Sequence, residues 1–261
     1  MANLSKIDIT FLTDAVQGQD ITLARANQDS SLLPSGIELV QNGDFSEEGA
    51  EETLNGDFSQ EGLEEITNGD FSNGSTDWTL GDWTVADGKA SLINGASFIT
   101  QLSVLEVGKT YKIQYTISDY VSGNIRWRSS GVNGSVNTSN GVVTDYITVS
   151  STSFGIQGYN NFTGSIDNIS VKEVAQDWTL GTGWSIGDDK AICEANGGFD
   201  VLNQGFVLNS GNSYKVTYTA DLSLITSGTL KLGTFGNSAS ERTILDGTNT
   251  AYLTASGTSF Q

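Results

Sequence analysis

The chain has 261 residues, of which 31 are glycine, one is proline, one is cysteine and none is histidine. A single cysteine makes no internal disulfide, and without imidazole there is no Ser–His or Cys–His catalysis and no Cys/His zinc site. Twelve basic residues against 31 acidic ones leave a net charge of −19, a field that repels nucleic acid and anionic membranes.

The start, Met1-Ala2-Asn3-Leu4-Ser5-Lys6-Ile7-Asp8, lacks the basic region, apolar run and small-residue cleavage site of a secretion signal. No run approaches the ~18 apolar residues of a membrane helix. The expectation is a soluble chain made in a cytoplasm. Residues 1–39 open with an alternating stretch, Ile7-Asp8-Ile9-Thr10-Phe11, followed by Leu12 and Val16, and Pro34-Ser35-Gly36 ends any regular element. The piece is too short to fold alone, yet it carries apolar residues that a free tail does not need. Ile7, Ile9, Phe11, Leu12 and Val16 are therefore expected to dock onto another protein.

Residues 40–65 follow. Asn42-Gly43-Asp44-Phe45-Ser46 recurs at Asn55–Ser59 and again at Asn68–Ser72, a step of 13 residues each time. Fifteen of the 31 acids lie between Arg25 and Lys89, an interval without a basic residue. As a calcium loop the repeat fails, because its sixth position is Glu47 rather than glycine and its twelfth is Thr53 rather than a bidentate glutamate. Like-charge blocks with two or three apolar residues per unit do not build a core, and the segment reads as an acidic spacer.

A longer repeat governs the rest. Asp77-Trp78-Thr79-Leu80-Gly81 returns as Asp177-Trp178-Thr179-Leu180-Gly181, and Gly108-Lys109-Thr110-Tyr111-Lys112 returns as Gly211-Asn212-Ser213-Tyr214-Lys215. The offset grows from 100 through 103 to 106, so insertions fall in loops while the strand blocks keep phase. Tyr111, Ile113, Tyr115 and Ile117 alternate with polar residues, the period of a strand with one wet face. Strands are expected at 97–105, 110–118, 123–128, 142–150 and 165–171, and no helix after Glu65. The fold class is all-β: tandem antiparallel jelly-roll β-sandwiches, at 66–174 and 175–261, behind an extended N-terminal segment. After Phe260 the second copy has only Gln261, without the stretch matching Ser165–Val171, and the chain is expected to be truncated.

The opening Ile66-Thr67-Asn68-Gly69-Asp70-Phe71-Ser72, the Asp–Trp pair and the closing Ile166-Asp167-Asn168-Ile169-Ser170-Val171 together resemble jelly-roll carbohydrate-binding modules. Trp178–Trp184 and Gly164–Val174 look more specifically like tandem modules in structural proteins of marine tailed bacteriophages. The resemblance implies that opening and closing strands lie side by side, and that Asp70 and Asp167 are candidates for a structural calcium, although Ser72 stands where the family commonly has glutamate. No other cofactor is implied.

Trp78, Trp83, Trp178, Trp184 and Trp127 (matched by Leu232) read as packing residues, and Cys193 as a small buried apolar group. Arg126 and Arg128 form the one basic cluster of the first sandwich, with Lys231 as the counterpart of Arg126. Tyr120 and Tyr159 adjoin Gly/Ser/Asn loops. These five are the glycan-binding candidates. No carboxylate pair is nominated for hydrolysis, so no enzyme is expected. The resulting expectation is a virion component: a phage tail or head fibre, homotrimeric by resemblance, held to other virion proteins through residues 1–39 and presenting its sandwiches to cell-surface polysaccharide. The alternatives are a capsid decoration protein without a receptor role, and binding modules of a polysaccharide-degrading enzyme.

Overall fold

A computed structural model describes residues 2–11, 47–194, 200–236 and 240–261. The chain divides into two compact units, residues 57–200, and residues 1–56 together with 201–261. Every regular element of more than one residue among the described residues is a strand.

In chain order, β1 is Ala2–Phe11, and the 57–200 unit then contains β2 (Glu61–Glu64), β3 (Thr84–Ala86), β4 (Lys89–Gln101), β5 (Thr110–Ser129), β6 (Val132–Asn133), β7 (Gly141–Thr148), β8 (Phe154–Val174), β9 (Thr179–Leu180), β10 (Trp184–Ile186) and β11 (Ala191–Cys193). Strands β3, β4, β8, β5 and β6 are neighbours in that order, with β2 added on β8 and β7 on β5, all antiparallel. The expected strands at 110–118 and 123–128 are two halves of β5, and the one at 165–171 is the second half of β8. The first half of β5 pairs with β7 and with residues 165–174, and its second half pairs with residues 155–159. The long strands bend between the halves, where left-handed backbone at Asp119, Gly123, Asn160 and Asn161 accompanies shifts in register. Asn, Asp and Gly tolerate that conformation best. Gly123 has a second reason, since a Cβ there would lie 2.4 Å from the Phe162 Cα.

The bends fold the strands over one core. Tyr111, Ile113, Tyr115 and Ile117 point into it with Ile125 and Trp127, while Lys112, Gln114 and Thr116 remain only partly covered. Trp83 and Tyr120 pack against Phe162, which is fully buried, at ring-centroid distances of 5.8 and 6.2 Å. Trp78, Trp83, Trp127 and Trp178 are buried as expected, but Trp184 and Cys193, opposite each other on β10 and β11, are only partly so.

The described part of the acidic segment is folded, which corrects the spacer reading of residues 40–65. Glu61 accepts hydrogen bonds from Lys112 (2.6 Å) and Lys172 (2.9 Å), and Glu64 accepts from the Val171 N–H and the Ser170 hydroxyl. These contacts fasten β2 to β8 and β5, so the opening and closing strands do lie side by side. Phe71 and Phe58, the aromatic members of two successive repeats, are both buried, against Trp78 at 5.5 Å and Trp178 at 5.3 Å. The copies at 55–59 and 68–72 are therefore folded turns, not linker, and the first copy lies outside the described residues. Charge alone hides this, because acids are ordinarily solvated, whereas these meet lysines and free N–H groups on neighbouring strands.

Lys112 and Lys172 hold the Glu61 carboxyl below the usual carboxylate range. A depressed folded-state value stabilises the fold above the unfolded-state pKa, and that contribution disappears as pH falls through the folded value. Glu61→Gln is expected to cost about 1 kcal/mol at pH 7. In urea titrations the difference from the parent should vanish well below pH 4.5, the ordinary glutamate value.

In the other unit, β12 (Leu202–Asn203) precedes β13 (Ser213–Asp221), β14 (Lys231–Leu232), β15 (Arg242–Thr243) and β16 (Gly247–Thr254). β13 is flanked by β16 on one side and β1 on the other, both antiparallel, and β14 pairs with β15. Tyr214, Val216, Tyr218 and Ala220 are buried in the same alternation as their matches on β5. Gln204 exchanges two hydrogen bonds with the Leu54 backbone, as Gln101 does with Thr67 in the 57–200 unit, and Lys215 is ion-paired with Glu48 as Lys112 is with Glu61.

Candidate functional site

The outward rows of β4, β8 and β5 carry the most distinctive surface chemistry of the 57–200 unit. Phe98 pairs with Gln157 and Gln157 with Arg126; two residues along, Thr100 pairs with Gly155 and Gly155 with Arg128. Strict alternation sends Ile99, Ile156 and Trp127 into the core and leaves Phe98, Gln157, Arg126 and Arg128 on the opposite face.

On this face the Arg126 guanidinium lies 4.8 Å from the centroid of the Tyr159 ring, and that of Arg128 lies 5.1 Å from the centroid of Phe98. The Arg126 Nε–H also donates to Gln157 Oε1 at 3.1 Å. Phe98 is 41% exposed although it is a large apolar residue. A guanidinium over an aromatic ring is attracted by the ring quadrupole, and such contacts contribute about 0.5–2 kcal/mol. The result is a plate of two aromatic rings and two fixed cations with a side-chain amide between them. It offers an apolar ring a surface to lie on, and a carboxylate or sulfate a planar, bidentate partner.

Of the five glycan candidates, Arg126, Arg128 and Tyr159 are brought together here. Tyr120 is not among them. Its ring packs on Phe162 and its hydroxyl donates to the Gly123 carbonyl at 2.9 Å, so it braces the bend in β5 instead of standing free for stacking. Lys231 belongs to the other unit, where it is ion-paired with Glu241 at 2.8 Å. Phe98 is the member of the plate that sequence reasoning misses. The one available signal is its phase, next to Ile99, which puts it on the wet side of its strand. The second repeat does not preserve the plate: the positions matching Phe98 and Arg128, at offsets of 103 and 105, are Val201 and Gly233.

The two calcium candidates each make a local hydrogen bond. Asp70 Oδ1 accepts from the Ser72 N–H (3.0 Å) and hydroxyl (2.8 Å), which hold this exposed carboxyl below its ordinary pKa, the backbone N–H first. Asp167 accepts from Asn168 Nδ2 at 2.7 Å. Both of these contacts are local, and among the described residues no group of three or more His, Cys, Asp or Glu side chains could hold a metal ion. Of the residues expected to dock onto another protein, Ile7, Ile9 and Phe11 lie on β1, which pairs with β13 of the same chain rather than forming a separate tail. Leu12 and Val16 lie outside the described residues.

A cleft of about 560 Å³ in the 57–200 unit lies elsewhere, lined by Lys109, Glu173, Gln176, Trp178, Leu180 and Trp184 among others. Its two charges neutralise each other at 2.8 Å, and it contains none of the candidates.

No protein-family model matches the chain, and no curated protein matches it. Among solved structures, a CBM4 structure is similar at 17% identity and a TM-score of 0.27, covering 46% of this chain and 98% of that one. The N-terminal CBM22-1–CBM22-2 tandem domain of Paenibacillus barcinonensis Xyn10C is similar at 9% identity and a TM-score of 0.34, covering 77% of this chain and 90% of that one. Both are carbohydrate-binding modules. Likeness at this level assigns no residue a role.

Proposed function

We propose that the chain is a non-catalytic glycan-binding protein and that the β4–β8–β5 face of the 57–200 unit takes an acidic polysaccharide. The observation that carries this reading is the pair of guanidinium-on-ring contacts, Arg126 on Tyr159 and Arg128 on Phe98, on either side of Gln157. The net charge of −19 opposes a polyanion at long range, so the attraction is one of contact: two neighbouring arginines stacked on aromatic rings favour an anionic group at short range, where ions screen the rest of the field. Sugar C–H faces stack on the rings, and uronate or sulfate groups pair with the guanidinium edges. The finer reading is a bacteriophage fibre or appendage that displays this face to a host surface, and its support is the resemblance of the repeats to modules of marine phage structural proteins. Multivalent display would make weak single-site binding sufficient for attachment.

Affinity electrophoresis through gels containing alginate, a sulfated galactan or a neutral glucan tests the proposal. The parent chain should be retarded by an acidic polymer and not by the neutral one. Tyr159→Ala and Arg126→Gln should each weaken that binding about tenfold, which corresponds to the loss of about 1.4 kcal/mol, while lowering stability by no more than the roughly 0.5–2 kcal/mol of the stacking contact each removes. Equal retardation of parent and variants, or retardation only by the neutral polymer, would refute the assignment.

A further inference from the structure

In the 57–200 unit the strand that closes the sandwich is the second half of β8. It pairs with the first half of β5, Ile113 opposite Val171 and Ile117 opposite Ile166, so four steps on β5 face five on β8. In the other unit the matching central strand is β13, and the matching place beside it is taken by β1. Val216 is opposite Ile9 and Ala220 opposite Leu4, again four steps against five. Val216 and Ala220 are the matches of Ile113 and Ile117 at the 103-residue offset. The two closing segments also align without a gap at an offset of 162: Leu4 with Ile166, Ile7 with Ile169, Ile9 with Val171 and Leu12 with Val174. Thus β1 has the apolar phase, the register and the single extra residue of a closing strand, yet it comes from the far side of the other repeat in sequence.

A closing strand supplied from a distant segment is not committed to its own chain. Residues 12–46 lie between β1 and the next described segment, and these 35 residues could span roughly 115 Å if extended. A connection of 35 residues is long enough in contour for the strand to reach the β13 edge of either copy. We propose that the β13 edge is a strand-acceptor site, that its ligand is the segment Ala2–Phe11, and that the segment is exchanged between copies of this chain, linking them by donated strands.

Cysteine pairs placed in register test this in the full chain, in a Cys193→Ser background. Asp8 is opposite Thr217, and Lys6 is opposite Thr219. A chain bearing only Asp8→Cys is mixed with one bearing only Thr217→Cys, unfolded, refolded together and oxidised. The expected result is a disulfide-linked dimer at twice 27.6 kDa that is absent when Ser223→Cys, an exposed position outside β13, replaces Thr217→Cys. Lys6→Cys with Thr219→Cys should give the same dimer, which guards against one substitution disturbing the strand. Adding Ile9→Pro to the donor chain should abolish it, since proline cannot donate to the ladder. If both mixtures stay monomeric while a chain bearing both Asp8→Cys and Thr217→Cys, or both Lys6→Cys and Thr219→Cys, closes the bond within itself, pairing is strictly internal and exchange is refuted. If no bond closes in either arrangement, β1 is not the ligand of β13 and the whole inference falls.

Discussion

Phe58→Ala is expected to destabilise the 57–200 unit by about 3–5 kcal/mol, the usual cost of emptying a buried phenylalanine site. Phe58 is 1% exposed and packs on Trp178, whereas Leu63, five residues on in the same acidic segment, is 88% exposed. Leu63→Ala should therefore change stability by less than about 0.5 kcal/mol. The two variants differ in what each side chain touches, not in the charge around it. Denaturant melts followed by tryptophan fluorescence would separate them, because the Phe58→Ala cavity opens against an indole. Equal, small effects would mean that the segment is unfolded spacer after all.

Gly69→Ala is expected to cost about 3 kcal/mol or more. Gly69 accepts a 2.9 Å hydrogen bond from the Ile169 N–H, and a Cβ on it would lie 1.9 Å from the Ile169 carbonyl oxygen. Backbone on backbone leaves no flexible side chain to yield, so the opening turn would have to separate from β8. Gly74→Ala is the control. Gly74 has a φ of +61°, and a Cβ added there would meet nothing within 4 Å, so the cost is the conformational one alone, about 1–2 kcal/mol. Thermal melts that rank Gly74→Ala as the more damaging would overturn the packing of the turn against β8.

Much of this architecture is legible in the residues. Tyr111, Ile113, Tyr115 and Ile117 alternate in the sequence and are buried in the structure, because a pleated strand has a period of two and one face of the sheet is dry. The acidic repeat misleads because charge density measures solvation only when no partner is near, and the lysines that satisfy Glu61 are 51 and 111 residues away. The plate is half visible: Arg126, Arg128 and Tyr159 can be nominated one at a time. That two of them stack together, that Phe98 joins them, and that Tyr120 does not, depends on which strands become neighbours.

Strand period, the duplicated blocks and the excluded chemistries follow from the order of residues alone, since side-chain alternation and the absence of imidazole are local facts. Tertiary structure decided what each strand lies beside. It placed Phe58 and Phe71 on separate tryptophans, set β1 in the closing position along β13, and assembled an arginine–aromatic surface from three strands. Pairing across a sheet is set by register between segments far apart in the chain, and neither composition nor periodicity within a segment encodes that distance.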